Sequence, residues 1–407
     1  MVRGHGRRLG QDHDHSDSGR GGSVLNPDRI GNGLDASDPQ TTFPHGLYSL
    51  LQQDRVVAIG PDGIENWDAG QDDVVQTALD WVNGEDSSSR PGTVWVPPGR
   101  DIDNPMTQMS PLNRRRMVDL VCPGGTAITG GVIEFTQSGS NTDHGMVGDL
   151  YGTHTDGITL KGPFTGTETT GVGWHDNTGS NYFTVGRLGI RDWGNKAVET
   201  DAWAFHTDMV IATNIDPEAT TGQNNDAVVD FVGAGPGGTV GHLEIYPGLG
   251  TGSTTSTGNA QQAFRMQNAD CEVSYVNIGG HARDISVQSG TVHMVNFEPS
   301  TDDTMAVQER VCFLANDGTL KWLHVNNAGG SINHDHAFRI GGVTSGSVEA
   351  VKGKSELNTT DVVTVTSAPN GPFVYDAGLN SNDVSNDTGS TLSEPNTVYD
   401  VARNALS

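Results

Sequence analysis

Lysine is nearly absent from the 407-residue chain, there are only three cysteines, and aromatic residues make up 6%. Cys122, Cys271 and Cys312 are odd in number, far apart and set beside apolar residues. That spacing excludes a disulfide framework or a cysteine metal cluster and reads as three small buried hydrophobes. No stretch approaches the roughly 20 apolar residues that a bilayer span requires. Basic residues number 23 against 50 acidic ones, and only Arg114, Arg115 and Arg116 cluster. Without a basic stripe to replace counterions on phosphates, nucleic acid is excluded as a direct partner. The opening, MVRGHGRRLGQDHDHSDS, places no apolar core behind Arg7 and Arg8, so no export signal is expected there.

What is present points to salt and to strands. The net charge is −27, with Asp far outnumbering Glu. Such a surface repels itself in dilute buffer, whereas molar salt shortens the Debye length to about 3 Å. A halophilic setting is the physical reading. The 55 glycines, with abundant Thr, Ser, Asn and Asp, favour short strands joined by frequent turns. One amphipathic helix is expected, because Val75, Ala78, Leu79 and Val82 recur at i, i+3, i+4 and i+7, with Asp72 or Asp73 placed to cap it. A strand over Thr93 to Val96 follows, ended by Pro97, Pro98 and Gly99. Residues 1–60 are low in complexity and could not fold alone, despite apolar patches at Leu47 to Leu51 and Val56 to Ile59.

An internal repeat runs through the second half. The segments VGRLGI, VIATNI, VGHLEI, VSYVNI, VHMVNF, TLKWLHV and VEAVKG align with anchors at Val185, Val210, Val240, Val273, Val292, Leu320 and Val348. Apolar residues mostly follow at i+3 and i+5, which share one strand face, while position i is out of phase and requires a bend between. A second apolar strand, marked by Phe231, Phe264, Ile285, Phe313 and Phe338, precedes several copies. A unit of about 25 residues cannot close a core alone, but stacked copies bury a continuous column. The expected fold is all-β, a right-handed parallel β-helix with an N-terminal capping helix and an extended N-terminal arm. A β-sandwich is the competing reading. The segment NTVYDVARNALS is expected to supply a short closing helix.

Asp72 and Asp73, the helix with Ala78 and Leu79, and PGTVWVPPG at 91–99 resemble the opening of pectate-lyase-like β-helix proteins, a pattern frequent in phage tailspikes. HDHSDSGRGGSVLNP at 13–27 resembles the arms near the starts of tail and fibre proteins. With the acidic composition, the resemblance implies a virion surface protein of a haloarchaeal tailed virus: a tailspike, fibre or capsid decoration. It implies a homotrimer held to other virion proteins by the arm and meeting host surface glycans or glycoprotein. The implied organisation is an attachment arm over 1–60, capping helix and first strand over 61–105, β-helix over 106–375 and C-terminal tail or cap over 376–407. A polysaccharide depolymerase is the alternative.

Candidate chemistry is sparse. HTDGI at 154–158 resembles part of a polygalacturonase motif, with His154 in place of the usual Asn, and the family's later elements do not follow. Asp156, Asp176 and Asp192 have a spacing that could stack, but a chain this rich in Asp yields such spacings by chance. Aromatics crowd 174–206. Flat rings stack on sugar faces, so Trp174, His175, Tyr182, Trp193, Trp203 and His206 are the expected glycan contacts, with Phe183, Phe205 and one Trp as core fillers. In the arm, His13 and His15 would point the same way on an extended strand, and three copies would bring six imidazoles to a divalent metal. Hydrogen bonding to a neighbouring virion protein is the plainer role for that arm. A second such pair, His334 and His336, is expected in a loop.

Overall fold

The computed structural model describes residues 54–84, 91–98, 101–106, 112–114, 117–123, 125, 130–137, 145–148, 150–163, 171–176, 181–194, 196–202, 204–215, 227–232, 236–247, 261–267, 270–280, 282–298, 308–316, 318–325, 334–343, 350–353, 361–365, 373–375, 384–386 and 398–400. Among these the protein is built of strands and one helix, α1 (Val74–Asn83).

Two long sheets, of 16 and 11 strands, dominate. The chain visits them in alternation. Thr184–Trp193, His206–Ile215, Pro236–Tyr246, Asp270–Ile278 and Thr291–Phe297 are successive neighbours in the first sheet. Val198–Thr200, Ala227–Phe231, Gln261–Met266, Ala282–Val287 and Gln308–Asn316, which lie between them in sequence, are successive neighbours in the second. All these pairings are parallel. Antiparallel hairpins would have made a sandwich, and parallel neighbours need a crossover instead. Here the crossover is the strand in the other sheet. Antiparallel pairs among the described residues occur only at the start, where Arg55–Gly60 pairs with Gly63–Asp68 and with Gly92–Trp95.

The core runs as aligned apolar columns. Val240, Val273, Val292 and Leu320 occupy one register position and are buried, as do Leu243, Val276, Val295 and Leu323 at the next. These match the sequence alignment. The VIATNI copy does not. Val210 pairs with Leu188 and Leu243, three positions from its expected place, and Thr207 takes the anchor beside Val185 and Val240. Aligning only apolar residues missed it, because a buried threonine fills the column there. Ladder pairing skips the residue after the anchor on four successive pairs of strands, which is the expected bend. In the second sheet Val229, Phe264, Ile285, Cys312 and Phe338 align, so Phe231 and Phe313 are each displaced from the expected column. Cysteine serves there as the small hydrophobe.

Several boundaries differ from expectation. Residues 55–60, expected in the arm, belong to the folded body. Val56, Val57 and Ala58 are buried, and the turn at Pro61 and Asp62 closes a hairpin. The helix lies where expected, with Val75, Ala78, Leu79 and Val82 buried, and packs on the opening strands. Asp73 stands at its N-cap in a left-handed conformation without a side-chain capping bond. Burial and the neighbouring Asp72 raise its carboxyl pKa. Val398–Asp400, expected in a closing helix, is a strand parallel to Phe373–Tyr375. His334 and His336 lie on a paired strand, not a loop. His13, His15 and the rest of the arm through residue 53 lie outside the described residues.

Candidate functional site

The six expected glycan-contacting residues separate. Trp174 and Trp193 are buried in the core. Trp193 donates from Nε1 to the Leu160 carbonyl at 3.2 Å and packs on Phe135 with ring centroids 5.5 Å apart. Neither indole presents a face for a sugar. Phe183 and Phe205 stack in the core at 5.4 Å, as core fillers should. Apolar burial outweighs a surface role for these rings, because each aromatic removes a large area from water. Trp203 lies outside the described residues. His175 is half-buried on the second sheet, within 3.4 Å of Glu199. That leaves Tyr182 and His206, and the structure brings these two to one exposed ridge.

The ridge is built by register. His154, Thr184, His206 and Thr239 are successive partners across four strands of the first sheet. His154 Nδ1 lies 2.7 Å from Thr184 Oγ1, and His206 Nδ1 lies 2.7 Å from Thr239 Oγ1. The other ring nitrogen of His206 meets Asp208 Oδ1 at 2.8 Å. Beside this row Tyr182 is 55% exposed, and its ring meets that of Tyr151 edge to face at 5.5 Å. Met117, also exposed, completes an apolar crest. Tyr182 and Met117 hold left-handed backbone, with φ of 53° and 61°. A bulky residue there costs roughly 1 to 2 kcal/mol. Gly152 and Ala204 show the same conformation, so one turn geometry recurs along the ridge. Tyr151, Met117 and His154 were not singled out from sequence as contacts. The signal was the outward set left over once the buried positions are assigned.

The carboxylates that could have stacked do not act together. Asp156 accepts from Arg187 Nε at 2.9 Å and Nη2 at 2.7 Å, which holds its carboxyl below the usual range. Gly157 next to it has φ of 70°, and a Cβ there would stand 2.5 Å from the Cys122 carbonyl. The HTDGI string is thus explained by packing. Asp192 accepts from Asn214 Nδ2 at 2.6 Å. Asp176 is buried, and burial pushes its carboxyl up to about 7, while Thr200 and the Asp201 amide donate to it. On the second sheet Asp230, fully buried, accepts from Lys196 at 2.7 Å and from Arg265 Nε at 2.8 Å. Glu199 is drawn down to about 2 by His175, against burial, with help from Lys196. Among the described residues no cluster of three or more His, Cys, Asp or Glu side chains could hold a metal ion. No helix there is long and apolar enough to cross a membrane.

These features define a protein of mostly parallel β-sheet with an exposed Tyr, His and Thr ridge. No protein family, curated protein or solved structure matches the chain.

Proposed function

We propose that the protein is a right-handed parallel β-helix on the surface of a virus of salt-loving archaea, a tailspike, fibre or capsid decoration. In this reading it meets host glycans or glycoprotein along the ridge carrying Tyr151, Tyr182 and His206. The alternation of the chain between two parallel sheets carries the fold reading. The ridge carries the binding reading: left-handed backbone at Tyr182 and Met117 holds two large side chains outward, and strain of that kind concentrates at functional positions. The exposed Tyr182 ring, held edge to face by Tyr151, suits a sugar face, and the adjoining His and Thr side chains suit hydroxyls. Helix α1 caps the first turn of the coil. The arm attaches the protein, as a homotrimer, to other virion proteins, with His13 and His15 able to add a divalent-metal lock.

A depolymerase of the host envelope is the competing function. Binding is favoured because Asp156, Asp176 and Asp192 each engage separate partners, whereas glycoside hydrolysis needs two carboxyls flanking one bond. The test is mass spectrometry of purified particles together with binding of the purified protein to host envelopes in molar KCl. The reading expects the protein in the particle, binding that falls several-fold in Tyr182→Ala, and no release of sugar ends. Absence from particles removes the virion role, and release of reducing or unsaturated ends replaces binding by depolymerisation.

A further inference from the structure

A groove of about 430 Å³ opens on the outer face of the first sheet, away from the ridge, and is lined by Thr159, Arg191, Met209, Ile211, Glu244 and Tyr246. Register explains the hollow. Thr159, Gly189, Ile211 and Glu244 form one cross-strand row, and Gly189 contributes no side chain to it. Lys161, Arg191, Thr213 and Tyr246 form the next row. The volume lies within the range of small-ligand sites, about 300 to 1,000 Å³.

Its polar groups are arranged with one donor to spare. Tyr246 donates its hydroxyl to Glu244 Oε2 at 2.7 Å, and Asn277 Nδ2 donates to the same oxygen at 2.7 Å. The other Glu244 oxygen faces His242 Nε2 at 2.7 Å. The tyrosine ring lies against Gly279, where a Cβ would stand 2.7 Å from it, so its position is set from below. Burial and Glu244 push the phenol up to about 12, which keeps it a neutral donor. Of the cations on neighbouring strand positions, Lys161 is paired with Glu134 and Arg187 is forked onto Asp156. Arg191 differs. Its Nε is buried and has no hydrogen-bond partner among the described residues. Buried donors are nearly always satisfied, so an acceptor is expected at this place.

We infer that the groove is a subsite for an acidic sugar, with the carboxylate on Arg191, the ring face against Tyr246, and Met209 and Ile211 beneath. A guanidinium matches a carboxylate in geometry as well as charge. Lys161 stands beside Arg191 in register but is neutralised by Glu134, so Arg191 is the cation that the groove offers to an anion. An apolar floor beside a tyrosine suits the C–H face of a pyranose better than a bare anion. The inference concerns the isolated chain and does not depend on a virion role.

The test is ligand-observed NMR on the full chain in molar KCl with three probes: methyl glucuronoside, methyl glucoside and acetate. The glucuronoside is expected to bind at least about tenfold more tightly than either other probe, a ratio set by the loss of a charge-assisted contact or of the ring contact. Arg191→Gln should weaken it by about tenfold or more. Thr213→Glu, which keeps the arginine and sets a carboxylate beside it, should abolish binding. Equal binding of the glucoside overturns the carboxylate role of Arg191, and equal binding of acetate overturns the sugar. No binding of the glucuronoside, or wild-type binding by Thr213→Glu with native circular dichroism, overturns the site.

Discussion

Asp176 sits at the edge of an internal cavity of about 30 Å³ that Thr200 and Thr207 also line. It is 2% exposed. Its carboxyl titrates near 7 in the folded chain against 3.8 as the ordinary value, so between those values the folded state holds a proton that the unfolded state has lost. Its contribution is therefore fully present below about pH 4 and is lost as pH rises through 7. Asp176→Asn, which removes the charge and keeps the shape, is expected to stabilise the protein by roughly 2 to 4 kcal/mol at pH 8 and by little at pH 4. Denaturant unfolding at the two pH values checks this, and equal effects at both would refute it. Asp230 presents the opposite case, a fully buried charge with its partners in place. Lys196→Met leaves that carboxylate with Arg265 and Glu199 without its lysine, at an expected cost of about 3 kcal/mol. A loss under about 1 kcal/mol would mean that solvent reaches the site.

At the scale of elements, α1 and the opening strands are locked by a glycine. A Cβ at Gly92 would stand 2.4 Å from Val82 Cγ1 and 2.6 Å from the Ile59 carbonyl oxygen. The valine can turn, but the carbonyl belongs to a paired strand and cannot yield cheaply. Gly92→Ala is expected to lift the helix from the sheet and cost about 1 to 3 kcal/mol, read as a lower urea midpoint. An unchanged midpoint would show that α1 contributes little to covering the first strands. The helix was legible because its apolar spacing is local. The hairpin at 55–68 carries a legible signal too, Gly60-Pro61-Asp62-Gly63, although its first strand reads as arm until its partner strands are placed.

Over the whole molecule, charge sets the conditions for folding. With 50 acidic residues against 23 basic ones, repulsion opposes compaction unless ions screen it. Raising KCl from about 0.1 M to about 1 M shortens the Debye length from about 10 Å to about 3 Å. The melting temperature should rise on the order of 5 °C or more across that range. Scanning calorimetry in KCl checks this, and a flat or falling profile would remove the halophilic reading.

Sequence by itself determined the strand-rich class, the helix, the alternation of apolar positions and the register of most repeat copies, because each depends on neighbours within one strand or one turn. Tertiary structure alone decided which sheet each strand joins and which copy breaks the rule. Thr207 fills an anchor because Val185 and Val240 flank it across strands, a relation that no local pattern contains. It also decided the fate of the aromatic cluster. Trp174 and Trp193 sit close in sequence to Tyr182 and His206, yet the alternation of the chain turns the first two inward and the last two outward. The groove at Arg191 and Tyr246 is tertiary for the same reason: its walls are 55 residues apart in the chain and meet only because parallel strands stack side by side.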